Sequence, residues 1–414
     1  RQENGEIPPP AAPGKAPIPI GMLLLDLTHT GHTTACTGIQ RQARGVFCAL
    51  ERQTETAGVC FDPFAAAWRP LDEHEFLLAR GTVLPAAGAR RGTLWPLGRK
   101  LHSWCNRLTG TTAEPPPATG LVCPEIFSPQ IAAHLPELFA RVSGSRVAFF
   151  FDTIPLTHPE FTPPKTVARF PAYIQELLQF DGIAANSRTT ADSLLGYWRW
   201  LGVANPPPVT VLPLGVDLPA TPAVAPVPAG AALPQILCVG TIEGRKNHLA
   251  LLGAAETLWA EGLRFELRLV GMLRPETAAA AIAEIRRLHA AGRPLRFDGV
   301  LDDAALAEAW HACAFSVYPS LIEGFGLPVI ESLARSRPCI CAGTGATGEL
   351  VPGGGCIGVQ AADAAGFAAA MRRLITEPAT LTRLAAEARN RPVPTWDACA
   401  EHLRNWMAEL PLSR

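Results

Sequence analysis

Groups able to handle an anion and a set of hydroxyls stand close together in the stretch VYPSLIEGFGLPVIE, Val317 to Glu331. Glu323 and Glu331 bracket Gly324, Phe325, Gly326 and Leu327, and Pro328 follows. The apolar run from Ala314 to Tyr318 reads as a buried strand stopped by Pro319. Pro328 opens an apolar-periodic segment, where its missing N–H costs nothing in a first helical turn. A loop delivered to a helix N-terminus can turn the amides of Gly324 to Leu327 toward an anion, with the helix dipole behind them. Bare carboxylates beside a phosphate would repel it, so Glu323 and Glu331 are expected to point at hydroxyls such as sugars and ribose offer. Strand, glycine loop, helix and two spaced glutamates together suggest a nucleotide-sugar site.

Read as a motif, Glu323 and Glu331 around GFGLPVI resemble the E-x7-E signature of family 4 of the glycosyltransferases, retaining enzymes of the GT-B fold. A second run, Ile236 to Gly240 followed by TIEGRKNH (Thr241 to His248), resembles that family's V-G-T-I-E-P-R-K-N-H segment, with Gly244 where proline is usual. A departing nucleoside diphosphate spreads negative charge over two phosphates, and two adjacent cations at a strand end can stabilise it without a metal. Arg245 offers a fork of donors and Lys246 a point charge. Asn247 is read as the cap of the next helix. TGIQR (Thr37 to Arg41) resembles a variant of the loop after the first strand in a branch containing mannosyltransferases. The run from Asp152 to Glu160 resembles the family's H-D-L-I-P-L-x-x-P-E segment, with Phe151 in the histidine position. Asn186 and Ser187 resemble an A-N-S segment, and Ser187 reads as a helix cap.

The resemblance implies Arg245 and Lys246 on the diphosphate, Glu323 on the sugar hydroxyls and Glu331 on the ribose. It places Gly240, Thr241, Asp152 and the amides of Gly324, Phe325, Gly326 and Leu327 around the donor, with the Thr37-Gly38 turn closing from the other domain. It implies hexose transfer with retention, to a glycan or lipid-linked acceptor, with no metal and no cofactor besides the nucleotide sugar as co-substrate. TGIQR and DTIPL lean toward GDP-mannose, with UDP-sugars next. Phe151 keeps two rivals open, a pseudo-glycosyltransferase and a catalytically inactive nucleotide-sugar-binding module.

Elements able to position these residues alternate along the chain. With 414 residues and 48% apolar content, two cores are expected. Met22 to Leu27, Val147 to Phe151, Gly182 to Ala185 and Val209 to Leu212 read as strands of a first domain. Ile236 to Gly240, Glu266 to Val270, Leu295 to Phe297 and Ala314 to Tyr318 read as strands of a second, with helical patterns between them. That alternation predicts parallel sheets with right-handed crossovers. The expected organisation is a flexible tail (1–20), an acceptor-side N-terminal domain (21–217), a proline-stiffened linker (218–234), a nucleotide-sugar-binding domain (235–393) and a terminal helix crossing back to the first domain (394–414). The fold class is α/β, GT-B, two Rossmann-like domains facing across a cleft.

Composition narrows the partners. A formal net charge of -1 provides no global field for nucleic acid, so none is expected. No apolar run approaches a membrane span. The eleven cysteines are scattered without a C-x-x-C pair, as reduced core thiols would be. His29 and His32, in the polar loop Thr28 to Thr37, read as solvated loop residues. Residues 76–113 carry Arg80, Arg90, Arg91, Arg99, Lys100 and Arg107 without an acid, interleaved with Trp95 and Trp104. Residues 90–108 therefore suit either an anionic membrane surface or a solvated basic arm. The expected location is cytoplasmic, and peripheral on the inner face of the plasma membrane where residues 90–108 meet lipid rather than form a solvated arm.

Overall fold

The computed structural model describes residues 21–82, 95–216, 233–360 and 362–411. The expected tail, Arg90, Arg91 and nearly all of the expected linker lie outside the described residues.

The N-terminal sheet contains β1 (Leu23–Asp26), β2 (Thr56–Asp62), β3 (Ala67–Pro70), β4 (Ala118–Cys123), β5 (Val142–Phe150), β6 (Gly182–Ala185) and β7 (Val209–Val211), in the order β3-β2-β1-β4-β5-β6-β7. Only the β2–β3 pair is antiparallel. The C-terminal sheet contains β8 (Gln235–Val239), β9 (Glu266–Val270), β10 (Leu295–Phe297), β11 (Phe315–Tyr318), β12 (Cys339–Ala342) and β13 (Cys356–Val359), in the order β10-β9-β8-β11-β12-β13. It is parallel throughout. Helices cover both faces, which is why β1, β6, β11 and β12 are buried along their whole length and read as unbroken apolar runs.

The C-terminal sheet runs outward in opposite directions from β8 and β11. Their carboxyl ends therefore border a crevice, the place where doubly wound sheets hold ligands. The loops leaving β8 and β11 are the two segments carrying Arg245, Lys246 and Glu323. The terminal helix Trp396–Glu409 lies on the N-terminal half. Trp396 fills the space over Gly45, where a Cβ would come 2.3 Å from its ring, and Arg52 Nη2 meets Asp397 Oδ1 at 2.6 Å.

The structure departs from the sequence reading in several places. β2, β3 and β4 were not anticipated. Gly343 to Gly348, whose glycines read as a loop, is largely a short helical turn, Gly345–Gly348. Asn247 does not cap the helix His248–Ala260: it sits in the left-handed region (φ 54°), and its Nδ2 donates to the Ala362 carbonyl at 2.6 Å. Ser187 does cap the helix Arg188–Trp200, its Oγ accepting from the Thr190 amide at 3.1 Å.

Candidate active site

Arg245 and Lys246 occupy a short 3-10 turn, Gly244–Lys246, in the loop that leaves β8. Glu323 stands in the loop between β11 and the helix Leu327–Ala334. The two loops are stitched together by the Leu321 amide, which donates to the Arg245 carbonyl at 2.9 Å, and by Arg245 Nη1, which donates to the Ile322 carbonyl at 3.3 Å. The cation pair and the glycine loop thus share one rim. Glu323 lies between the cations, its Oε1 2.5 Å from Lys246 Nζ and its Oε2 2.8 Å from Arg245 Nη1. Arg245 Nε also meets Glu243 Oε1 at 2.8 Å. Tyr318 and Ser320 complete the set, the first accepting from the Lys246 ammonium and the second donating to Glu323.

Electrostatics follow from burial and pairing. Burial works to raise the Glu323 carboxyl, but Lys246 and Arg245 outweigh it and hold the group down at about 2. Burial pushes the Lys246 ammonium down, opposed by Glu323. Burial likewise pushes the Asp152 carboxyl up; its Oδ1 accepts from the Ile154 amide at 2.9 Å. The two cations are thus held by two acids, Glu323 between them and Glu243 on Arg245 alone, at the rim of the crevice.

The glycine loop is shaped by the opposite domain. A Cβ on Gly324 would lie 1.9 Å from the Phe151 carbonyl oxygen, so only glycine permits this approach. Thr190 Oγ1, from the N-terminal half, donates to the Gly324 carbonyl at 3.0 Å. Gly326 has φ 110°, a left-handed backbone, at the start of the helix Leu327–Ala334. Among the described residues, the amides of Gly324, Phe325, Gly326 and Leu327 find no protein acceptor. Gly38, the first residue of the helix Gly38–Gln53, faces Leu327 across the cleft, where a Cβ would touch Leu327 Cδ1 at 3.7 Å. Gly240 precedes this rim at the end of β8, its amide donating to Val270, and Thr241 follows it.

Neither glutamate is bare. Glu323 is held by its two cations, and buried Glu331 forms an ion pair with Arg41 of the opposite domain, without an aligned hydrogen bond. Arg41, Tyr318, Ser320 and Thr190 are the residues that sequence reasoning missed. Their partners stand three to 290 positions away, so only the TGIQR resemblance hinted at any of them. Next to the rim lies a cavity of about 170 Å³, lined by Phe151, Asp152, Phe161, Thr166, Tyr173 and Arg245 among others. Gly244, before Arg245, is closely packed: a Cβ there would fall 2.9 Å from the Thr277 carbonyl and 3.0 Å from the Phe161 ring, so the proline usual at this position would not fit. His32, expected in solvent, is buried, and its Nε2 meets Glu75 at 2.7 Å.

The family model described as Glycosyl transferases group 1 matches residues 233–377. The serotype-specific mannosyltransferase WbdA of Escherichia coli is 28% identical over 235 residues, 52% of this chain and 29% of WbdA. The glycogen synthase of Mycobacterium tuberculosis is 32% identical over 192 residues, 46% of this chain and 45% of that protein. The chain thus spans less than half the length of these two relatives. Among solved structures, sucrose-phosphate synthase from Thermosynechococcus elongatus superposes with a TM-score of 0.65 at 18% identity, covering 92% of this chain and 97% of that one. HepE of Anabaena, in complex with UDP and glucose, superposes with a TM-score of 0.64 at 14% identity, covering 94% and 100%. At such identities the likeness is one of fold.

Proposed function

We propose, from the premise that this chain belongs to the group 1 glycosyl transferases and has the GT-B fold of two Rossmann-like domains, that it moves a hexose from a nucleoside-diphosphate sugar to a glycan or lipid-linked acceptor with retention of configuration. One observation carries the reading: a cation pair and four amides at a helix N-terminus, without acceptors among the described residues, converge on a single rim facing the opposite domain. Arg245 and Lys246 take up charge on the departing diphosphate, the role a divalent metal plays elsewhere, so activity is expected to survive chelation. Glu323 keeps the two cations apart and aimed, and offers its remaining lone pairs to sugar hydroxyls. Glu331 exchanges Arg41 for the ribose when the donor enters. Mannose and GDP are favoured, supported by TGIQR and by the relatedness to WbdA. The acceptor enters from the N-terminal side, at the cytoplasmic face of a membrane when it is lipid-linked.

Thermal-shift titration with GDP, UDP, ADP and dTDP tests the donor, because preferential binding raises the melting temperature by mass action. Transfer assays with the matching sugar nucleotides then test turnover, and the anomeric configuration of the product tests retention. Phe151 supports a second reading, a pseudo-glycosyltransferase or an inactive nucleotide-sugar-binding module. In the module case nucleotide saturates the protein yet no sugar is released or transferred. In the pseudo-glycosyltransferase case a non-sugar cyclitol is coupled instead.

A further inference from the structure

The helix Leu97–Thr109 shows its apolar side to solvent. Leu97, Leu101, Trp104 and Leu108, at intervals of four, three and four, form one stripe along the axis and are 78, 64, 53 and 67% exposed. Polar and cationic contacts hold it to the protein. Ser103 Oγ donates to Asp62 Oδ2 at 2.7 Å, Arg99 pairs with Asp72 and with Glu75, and Lys100 Nζ lies 5.4 Å from the Phe64 ring centre. Single exposed apolar residues are ordinary, but three leucines and a tryptophan in line form an interaction surface.

Charge and area identify the occupant. From Leu97 to Thr109 there is no acid, Lys100 and Arg107 accompany the stripe, and Trp104 stands within it. An apolar stripe with cations and a tryptophan matches the headgroup region of an anionic bilayer. A second copy of the chain fits poorly. Thirteen residues give a strip about 20 Å long and about 10 Å wide, far below the roughly 800 Å² per partner of a stable interface. We infer that this helix docks the protein on an anionic lipid bilayer. The helix hangs from Asp62, at the carboxyl end of β2, and the ring of Trp95 stacks 3.9 Å from that of His32, in the loop after β1. The bilayer therefore meets the protein at the carboxyl edge of the N-terminal sheet, the edge that faces the cleft. A lipid-linked acceptor would reach the cleft along the membrane plane, a consequence that rests on the transferase reading; the docking itself does not.

Co-sedimentation of the full chain with phosphatidylcholine vesicles, with and without phosphatidylglycerol, tests the inference in the absence of donor and acceptor. Binding is expected only with the anionic lipid, weakening with salt. The paired variant Leu101→Ser with Leu108→Ser should lower partitioning by about tenfold or more, and Arg107→Glu by about fivefold or more. All are surface changes, so the unfolding temperature should stay at the wild-type value. Absent binding, or binding undiminished in the leucine variant, overturns the proposal. So does a wild-type dimer that the leucine variant turns into a monomer without any vesicle binding.

Discussion

Two clusters of charge, one in each half of the molecule, use much the same inventory to opposite ends. In the N-terminal half Glu75 accepts from Arg69 through two nitrogens at 2.7 and 2.8 Å, from Arg99 at 2.7 Å and from the Asp72 amide at 2.9 Å, and it meets His32. A carboxylate has about four acceptor sites, so none remains for a ligand. His32, Cys60 and Glu75 bring their ligand atoms within 4.8 Å of one another, a span that could admit a metal ion. Two guanidiniums already occupy Glu75, however, and burial pushes the Cys60 thiol well up. At the cleft, Glu323 also holds two cations, but the neighbouring amides of Gly324 to Leu327 have no protein acceptor among the described residues. Charges whose donors are all consumed hold a fold together; charges beside unconsumed donors await a ligand.

The sharpest way to break this contrast is Lys246→Ala. If Lys246 meets charge formed in the transition state, turnover should fall by roughly two to four powers of ten, read as kcat in a transfer assay. Wild-type turnover would remove it from the mechanism. Glu75→Gln should do the reverse, costing about 3 kcal/mol of stability in denaturant unfolding while leaving kcat of the folded protein unchanged, because it removes the carboxylate that Arg69 and Arg99 share and leaves each only one, Asp62 and Asp72.

A buried acid without a cation sharpens the comparison further. Asp26 has its carboxyl pushed up to about 7, by burial first and by Glu125 second. The folded chain then holds this proton more tightly than the unfolded one, so stability falls as pH rises from about 4 to about 7. Asp26→Asn should flatten that slope, an effect of at most about 4 kcal/mol in unfolding measured across this range. Smallest, Glu331→Ala should weaken nucleotide binding by about tenfold, the loss of a hydrogen bond to a charged group, with little change in kcat. Glu323→Gln should damage turnover more than nucleotide affinity. The opposite ranking in calorimetry and kinetics would exchange the two roles.

The cleft was legible in the sequence where a strand, its loop and the next helix fall within about twenty residues. Local chemistry then dictates local geometry, as at Arg245-Lys246 and Glu323 to Leu327. Partners brought together by topology were not legible, as with Arg41 and Glu331 or Thr190 and Gly324. Among the strands, β2 escaped notice because Thr56–Asp62 alternates weakly, and β3 because it is a short antiparallel edge. The reading of Asn247 as a cap failed because asparagine also suits left-handed backbone, which is the conformation it adopts here. His32 looked solvated because nothing in a polar loop announces a glutamate forty-three positions away.

The central claim is that Arg245, Lys246 and the amides of the glycine loop receive a pyrophosphate. Calorimetric titration of wild type and Arg245→Ala with a nucleoside diphosphate, and with the corresponding nucleoside, addresses it most directly. The account predicts that the variant loses diphosphate affinity by at least about tenfold, as removing a charge-assisted hydrogen bond should, while its nucleoside affinity stays unchanged. Equal diphosphate affinity in the two proteins would contradict it.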